Sequence, residues 1–304
     1  MILKTAAEKR VALRAALKDS AENGKLLRFP GTFIPLAAMA IEEAGFDGIY
    51  LSGGAFSASL GLPDIGLTTL SELATITAQI ARVTHLPLIV DADTGFGGAI
   101  NAARTVIEIE AAGASGLHLE DQIHPKRCGH LEGKELVSTE EMVQKIRAAV
   151  DARSDKNFLL IARTDAVGVE GFDAAVARAR AYIAAGAEMI FAEALISAAE
   201  FKTFAAAIAP TPLLANMTEF GKSPILSADE LTTAGARLVI YPVTTLRLAM
   251  QAIIKGAQHI HARGKQTDAL IAEMQPRTDL YRMIHYQDYV DFDMSLANDV
   301  VGKT

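Results

Sequence analysis

Eight short apolar, β-rich runs recur along this chain of 304 residues, and helically patterned stretches separate them. The runs cover 26–33, 48–53, 87–93, 116–121, 158–165, 188–193, 212–217 and 236–242. Between them lie helical stretches such as 69–84, 99–113, 139–154, 172–186, 198–209 and 228–235. Strand alternating with helix is the signature of parallel βαβ units. Runs such as Leu88-Ile89-Val90 and Leu238-Val239-Ile240 are continuously apolar, as strands covered on both faces are. Ala44-Gly45, Ala112-Gly113, Ala185-Gly186 and Ala234-Gly235 each close a helix ahead of a strand, where glycine supplies the left-handed stop without a Cβ clash. Ser138-Thr139-Glu140-Glu141 and Ser227-Ala228-Asp229-Glu230 have capping-box spacing at helix starts. Eight such units predict a (β/α)8 barrel of the TIM type. A doubly wound open sheet is the alternative, but no Gly-x-Gly-x-x-Gly follows the first run.

An amphipathic helix over 5–20 precedes the first run, with Val11, Leu13, Ala16 and Leu17 apolar among charges, and Asn23-Gly24 ends it. A long helix over 245–263 follows the eighth. The tail from Gly264 still carries Tyr281, Tyr286, Tyr289, Phe292 and Met294, for which a closed barrel has no place. We therefore expect a single barrel domain over 1–304, with 264–304 as a C-terminal helical extension. The extension needs a partner surface, on its own barrel or on another subunit, and we favour the second. The charge balance, 29 basic against 36 acidic residues with no basic block, argues against nucleic acid or an anionic membrane as partner. One cysteine excludes an intramolecular disulfide and suits a reducing cytoplasm. Lys4, Glu8, Lys9 and Arg10 interrupt the N-terminus before any secretory signal can form, and no apolar run is long enough to span a bilayer.

In a (β/α)8 barrel the chemistry gathers at the C-terminal ends of the strands. The polar residues there are Tyr50, Ser52 and Gly53, then Asp91 and Asp93, Glu120 and Asp121, Arg163 and Asp165, Glu193, Asn216 and Tyr241, with Arg247 shortly after. A merely structural barrel has no use for an ionisable group at nearly every strand end, since buried charges must be paired at a cost. Asp91 and Asp93 alternate with Ala92, which aims both carboxylates at one face of the strand. Two carboxylates plus waters are the usual protein contribution to Mg²⁺; the plainer reading is capping of the turn at 94–98. No His- or Cys-rich spacing suggests zinc. Arg127, Arg163, Arg247 and Arg277 are candidate carboxylate clamps, because guanidinium and carboxylate pair as a fork. His118, inside a run, reads as a core histidine, and His130, on a loop, as the better catalytic candidate. Cys128 lies in Lys126-Arg127-Cys128-Gly129-His130. A lone thiol is often a small buried hydrophobe, but basic neighbours are the setting that tunes one for reaction.

These segments resemble the isocitrate lyase and phosphoenolpyruvate mutase superfamily over about 28–289. The likeness is carried by Tyr50-Leu51-Ser52-Gly53-Gly54, Leu62-Pro63-Asp64, Val90-Asp91-Ala92-Asp93-Thr94-Gly95-Phe96-Gly97, His118-Leu119-Glu120-Asp121-Gln122, the Cys128 segment, Ala162-Arg163-Thr164-Asp165, Asn216-Met217-Thr218-Glu219-Phe220-Gly221 and Tyr241-Pro242-Val243. The Cys-Gly-His loop separates the family's carbon–carbon lyases from its mutases. The resemblance implies Mg²⁺-dependent cleavage of 2-methylisocitrate to pyruvate and succinate in the methylcitrate route of propionate breakdown, with Mn²⁺ a second metal to consider. It implies that Asp91 and Asp93 hold the ion, with Asp64 and Glu120 ordering its waters. Ser52, Gly53 and Gly54 would hold the pyruvate end; Gly129, Glu193, Asn216, Thr218, Arg247 and Arg277 would complete the site. Tyr50, or a group acting through Arg163, would take the alcohol proton. Cys128 would protonate the succinate carbanion, with His130 and Arg163 stabilising its charge. One departure is Ala192, where the family often has proline. The family also implies a homo-oligomer, a tetramer built as a dimer of dimers, that exchanges its last barrel helix between subunits. A dimethylmalate lyase or an oxaloacetate hydrolase is the nearest alternative, and an oligomeric carboxylate-binding protein without activity the more distant one.

Overall fold

The structure is a computed structural model and describes residues 3–127, 129 and 133–301, with side chains as far as 296. Cys128 and His130 therefore lie outside the described residues. Eight strands, β1 (Leu27–Thr32), β2 (Ile49–Leu51), β3 (Leu88–Asp91), β4 (Gly116–Glu120), β5 (Leu159–Thr164), β6 (Met189–Ala192), β7 (Leu213–Asn216) and β8 (Ala236–Tyr241), form a closed barrel in sequence order. Every pairing is parallel, and β8 closes onto β1 through Leu27 opposite Leu238. The (β/α)8 expectation holds, with every strand bound within two residues of the one expected.

The helices are α1 (Ala6–Asn23), α2 (Pro35–Glu43), α3 (Gly53–Ser59), α4 (Leu70–Ala81), α5 (Ala99–Ala111), α6 (Thr139–Ala152), α7 (Phe172–Ala184), α8 (Ala198–Ile208), α9 (Ala228–Thr233), α10 (Thr244–Arg263), α11 (Asp268–Ile271), α12 (Arg277–Met283) and α13 (Tyr286–Val301). The four Ala-Gly stops behave as expected: Gly45, Gly113, Gly186 and Gly235 all have positive φ. Ser227 and Glu230 form a complete capping box. Ser138 accepts from the Glu141 N–H, but the reciprocal bond is missing because Glu141 leans to Lys145, 3.8 Å away.

Two apolar layers hold the barrel. One fills its interior with Phe29, Ile89, Ile161, Met189, Phe191 and Leu214, and Leu13 of α1 joins it at the N-terminal end of the strands. The other lies between strands and helices, where Val90, Leu117 and Leu160 meet Val106, Ile109 and Ile146. The interior layer stops where the polar strand ends begin. The chain divides into two compact units, the barrel unit Lys4–Leu246 and a helical unit that begins at Arg247. No described helix is long and apolar enough to cross a membrane.

Candidate active site

The parallel register sets Asp91 beside His118 across β3 and β4, and Glu120 beside Arg163 across β4 and β5. Neighbouring strand ends therefore deliver an acid next to a base twice over. The Tyr50 hydroxyl, on β2, lies 3.2 Å from Asp91 Oδ2 and 2.9 Å from His118 Nε2. Burial pushes the His118 imidazolium down to about 4, so the ring is neutral at pH 7. Burial and the Asp91 charge push the Tyr50 hydroxyl well up, so it stays protonated and acts as a donor.

Asp91 and Asp93 lie together, though not by strand alternation. β3 ends at Asp91, and Asp93 sits in a turn with φ +47°, held by its carbonyl accepting from the Glu120 N–H at 2.9 Å. A non-glycine residue in that region is under strain, which is retained where surrounding structure imposes it. Lys126 is buried among the acids. Its ammonium is 2.9 Å from Asp93 Oδ1 and also pairs closely with Asp64. It is an internal counter-cation for these acids. Burial, followed by repulsion from Asp91 and Asp64, raises Asp93 to about 6 despite that ammonium. Burial opposes ionisation of Asp91 as well, yet His118, Lys126 and Arg163 hold its carboxyl well below the usual range. With His118 neutral, the two cations supply that hold at pH 7.

Glu120 is fully buried, and among the described residues no hydrogen bond reaches either of its oxygens, although Arg163 Nη1 lies 3.3 Å from Oε2. Burial raises its pKa well above the ordinary value. Arg163 is fixed by Asp165 through Nε and Nη2, at 3.0 and 3.2 Å, and lies 3.2 Å from Glu193 and over the Phe191 ring. Glu193 accepts from the Asn216 amide at 3.3 Å to each oxygen. Thr218 is buried just beyond β7.

Ser52 caps α3, its Oγ accepting from the Ala55 N–H, and the Gly53 N–H donates to Asp91 Oδ2 at 3.1 Å. A Cβ at Gly53 would lie 2.8 Å from Asp91 Oδ2, and one at Gly54 would lie 3.1 Å from Asp64 Oδ2. The glycine pair thus makes room for carboxylates of the protein itself, and here the Gly53 N–H is taken by Asp91. Gly129 is buried at the site, and a Cβ there would lie 2.2 Å from Arg163 Nη2 and 2.8 Å from Glu193 Oε2. Lys134 fixes that main chain by donating to the Gly129 carbonyl and to Asp165 at 2.9 Å.

Arg127 is exposed, its main chain bonded on both sides to Gln122. Arg247 lies in the first turns of α10 and Arg277 opens α12, both in the helical unit. Asp121 faces the helices and not the reacting side. The sequence reading took Lys126 as a basic neighbour of the thiol, and it passed over Lys134 and the Arg163–Asp165 fork. The fork is not a product of strand alternation, since β5 ends at Thr164 and Asp165 already turns, with φ −95° and ψ 8°. Asp91 and Asp93 are the pair suited to a metal; among the described residues no group of three or more His, Cys, Asp or Glu side chains converges as metal ligands. A cleft of about 640 Å³ at the other end of the barrel, lined by Arg14, Leu17, Glu188 and Pro212 among others, has none of this chemistry. Chemistry, not cavity size, marks the site.

The chain matches the family described as Phosphoenolpyruvate phosphomutase over residues 17–261. It is 56% identical to a probable 2-methylisocitrate lyase 1 of Corynebacterium glutamicum, covering 93% of this chain and 92% of that one. It is 50% identical to a 2-methylisocitrate lyase of Aeropyrum pernix, covering 92% and 90%. Among solved structures it resembles a 2,3-dimethylmalate lyase at 35% identity and TM-score 0.88, covering 97% and 96%. It also resembles a phosphonopyruvate hydrolase in complex with oxalate and Mg²⁺ at 32% identity and TM-score 0.84, covering 94% and 98%.

Proposed function

The chain belongs to the phosphoenolpyruvate phosphomutase family, and we propose that within it the chain is a carbon–carbon lyase cleaving 2-methylisocitrate to pyruvate and succinate, in the methylcitrate route of propionate breakdown. One observation carries this reading. Chains named for that activity match at 50 to 56% identity over nine-tenths of both lengths, whereas the dimethylmalate lyase stands at 35%.

The buried acids fit Mg²⁺, or Mn²⁺ in its place. Burial first, and then the charges of Asp91 and Asp64, raise Asp93, and both Glu120 oxygens lack a hydrogen-bond partner among the described residues, so the cluster has acidic oxygens open to a cation. Asp91 and Asp93 would hold the ion, with Asp64 and Glu120 ordering its waters. When bound, the ion supplies electrostatic stabilisation to the oxygens of the pyruvate product.

This chain's own residues do the rest. Ser52, Gly53 and Gly54 border the pyruvate end. Tyr50, kept protonated by burial, donates a hydrogen bond, so the alcohol proton passes to a carboxylate. Glu120, raised by burial and free of hydrogen bonds among the described residues, is the suited acceptor. Arg163, pinned by Asp165, presents fixed positive charge, with Asn216 and Thr218 flanking it. Cys128 and His130, placed by sequence alone, would protonate and stabilise the succinate carbanion, and Gly129 brings the main chain beside them to Arg163. Arg247 and Arg277 would clamp the distal carboxylates of the substrate.

The chain works as one barrel domain with 264–304 as an extension, in the cytoplasm, as a tetramer of exchanged helices. α10 buries none of its residues, and it exposes Leu248, Ile253 and Ile254, as α13 exposes Tyr289 and Phe292, which supports a second copy as the cover. The deciding test is a product assay on 2-methylisocitrate, 2,3-dimethylmalate and oxaloacetate with Mg²⁺. Pyruvate with succinate from the first alone is expected. Turnover of another member alone would replace this reading, and no turnover of any would favour a binding protein.

A further inference from the structure

Asp121 follows Glu120 in β4's exit, yet its carboxylate points away from the reacting side toward α7, where it is fully buried. Its Oδ2 accepts from the Thr164 hydroxyl at 2.7 Å and from the Tyr182 hydroxyl at 2.8 Å; its Oδ1 accepts from the Asp165 N–H at 2.9 Å. Tyr182, itself fully buried, accepts from Arg178 Nη1 at 3.1 Å, and Glu170 holds the other edge of that guanidinium at 2.6 and 2.7 Å. Nothing in the lyase reading uses these groups. Burying a carboxylate, a phenol and a guanidinium together is costly unless each is hydrogen-bonded in good geometry, as these are, and it fixes their relative placement.

Asp165 is the point of transfer. Its N–H is fixed by Asp121 on the helix side, while its carboxylate grips Arg163 on the reacting side through two bonds. The same groups reach the segment that carries Gly129. The Val137 N–H donates to the Asp121 carbonyl at 2.9 Å, Arg178 donates to the Val137 carbonyl at 2.9 Å, and Lys134 ties Gly129 to Asp165. We infer that Asp121, Tyr182 and Arg178 form a brace behind β4 and β5 that positions Arg163, together with the main chain at Val137, for the reaction. The inference rests on the reading that Arg163 acts at the reacting centre. These three are positioning residues, since none touches the reacting side.

Tyr182→Phe removes one hydroxyl and keeps the ring. It is expected to lower kcat about tenfold, as loss of an outer partner of a site residue does, with KM changed less than about twofold. The discriminating measurement is a double-mutant cycle with Arg163→Lys. If the brace acts through Arg163, Tyr182→Phe costs nothing further in the Arg163→Lys background. Losses that multiply, or a Tyr182→Phe enzyme with wild-type kcat and only a lower Tm, would overturn the inference. Thr164→Val removes the other donor to the same oxygen and carries the same cycle if Tyr182→Phe does not fold. Should no panel substrate be cleaved, the lyase reading fails on its own, and oxalate affinity with Mg²⁺, measured by calorimetry on the same four proteins, decides the brace by the same non-additivity.

Discussion

The two ends of the barrel differ in how completely they satisfy certain acids. At the N-terminal end, Glu110 accepts from the Ser154 N–H and hydroxyl and the Asp155 N–H at 2.7 to 2.8 Å, with Arg10 alongside at 3.5 Å. Glu188 there is held by Arg14 at 2.9 Å, by Arg153, and by the Leu160 N–H. At the C-terminal end Glu120 has no hydrogen bond to either oxygen among the described residues, and Asp93 is raised to about 6 in spite of Lys126. A buried polar group left unsatisfied costs about 1–3 kcal/mol, more if charged. One end therefore uses its carboxylates as fasteners for α1 and the strand entries. The other holds, beside well-partnered acids such as Asp121 and Asp165, two that the fold leaves less well matched, which is the condition of a site awaiting a cation and an anionic substrate.

Substitutions should divide along the same line. Cys128→Ser should cut turnover by about two to four orders of magnitude, as loss of a general acid does, with Tm preserved; steady-state kinetics near wild type would remove the thiol from the mechanism. At the other end, Arg10→Ala should destabilise by about 3 kcal/mol, because it strips a buried guanidinium from Glu110 and Asp155. Denaturant unfolding reads that loss, and the folded variant should keep wild-type KM. Mg²⁺ affinity should fall up to about tenfold per pH unit as pH drops below about 6, since the ion needs Asp93 ionised. The sign for stability is the reverse. Asp93 is raised in the fold, so the unfolded chain ionises it first, and its contribution to metal-free stability declines as pH rises from about 4 to 6. Calorimetric Mg²⁺ titrations at pH 5, 6 and 7 check the affinity; a flat profile would place the ion away from Asp93.

The fold was almost wholly legible, because eight buried parallel strands and their Ala-Gly stops leave a local signature that needs no long-range information. The acids of the site were legible for the same reason: they sit where β3 to β6 end. Their pairing was not. Lys126 and Lys134 lie in a segment without periodicity, and only the folded path shows that one joins Asp64 to Asp93 and the other Gly129 to Asp165. Asp93 reached its place through a left-handed turn, not through strand alternation. Asp121 looked like part of the site by adjacency, yet one residue along a strand reverses the face.

The contrast between the two ends is tested most directly by thermal unfolding of Glu120→Gln and Glu110→Gln side by side, without added metal. Both replacements keep shape and remove charge. Glu110→Gln should lose about 2 kcal/mol or more, since an amide NH₂ then faces N–H donors that the carboxylate had satisfied, whereas Glu120→Gln should unfold at or above the wild-type Tm. A Glu120→Gln protein that loses as much stability as Glu110→Gln would make the C-terminal acids ordinary structural partners and contradict the account.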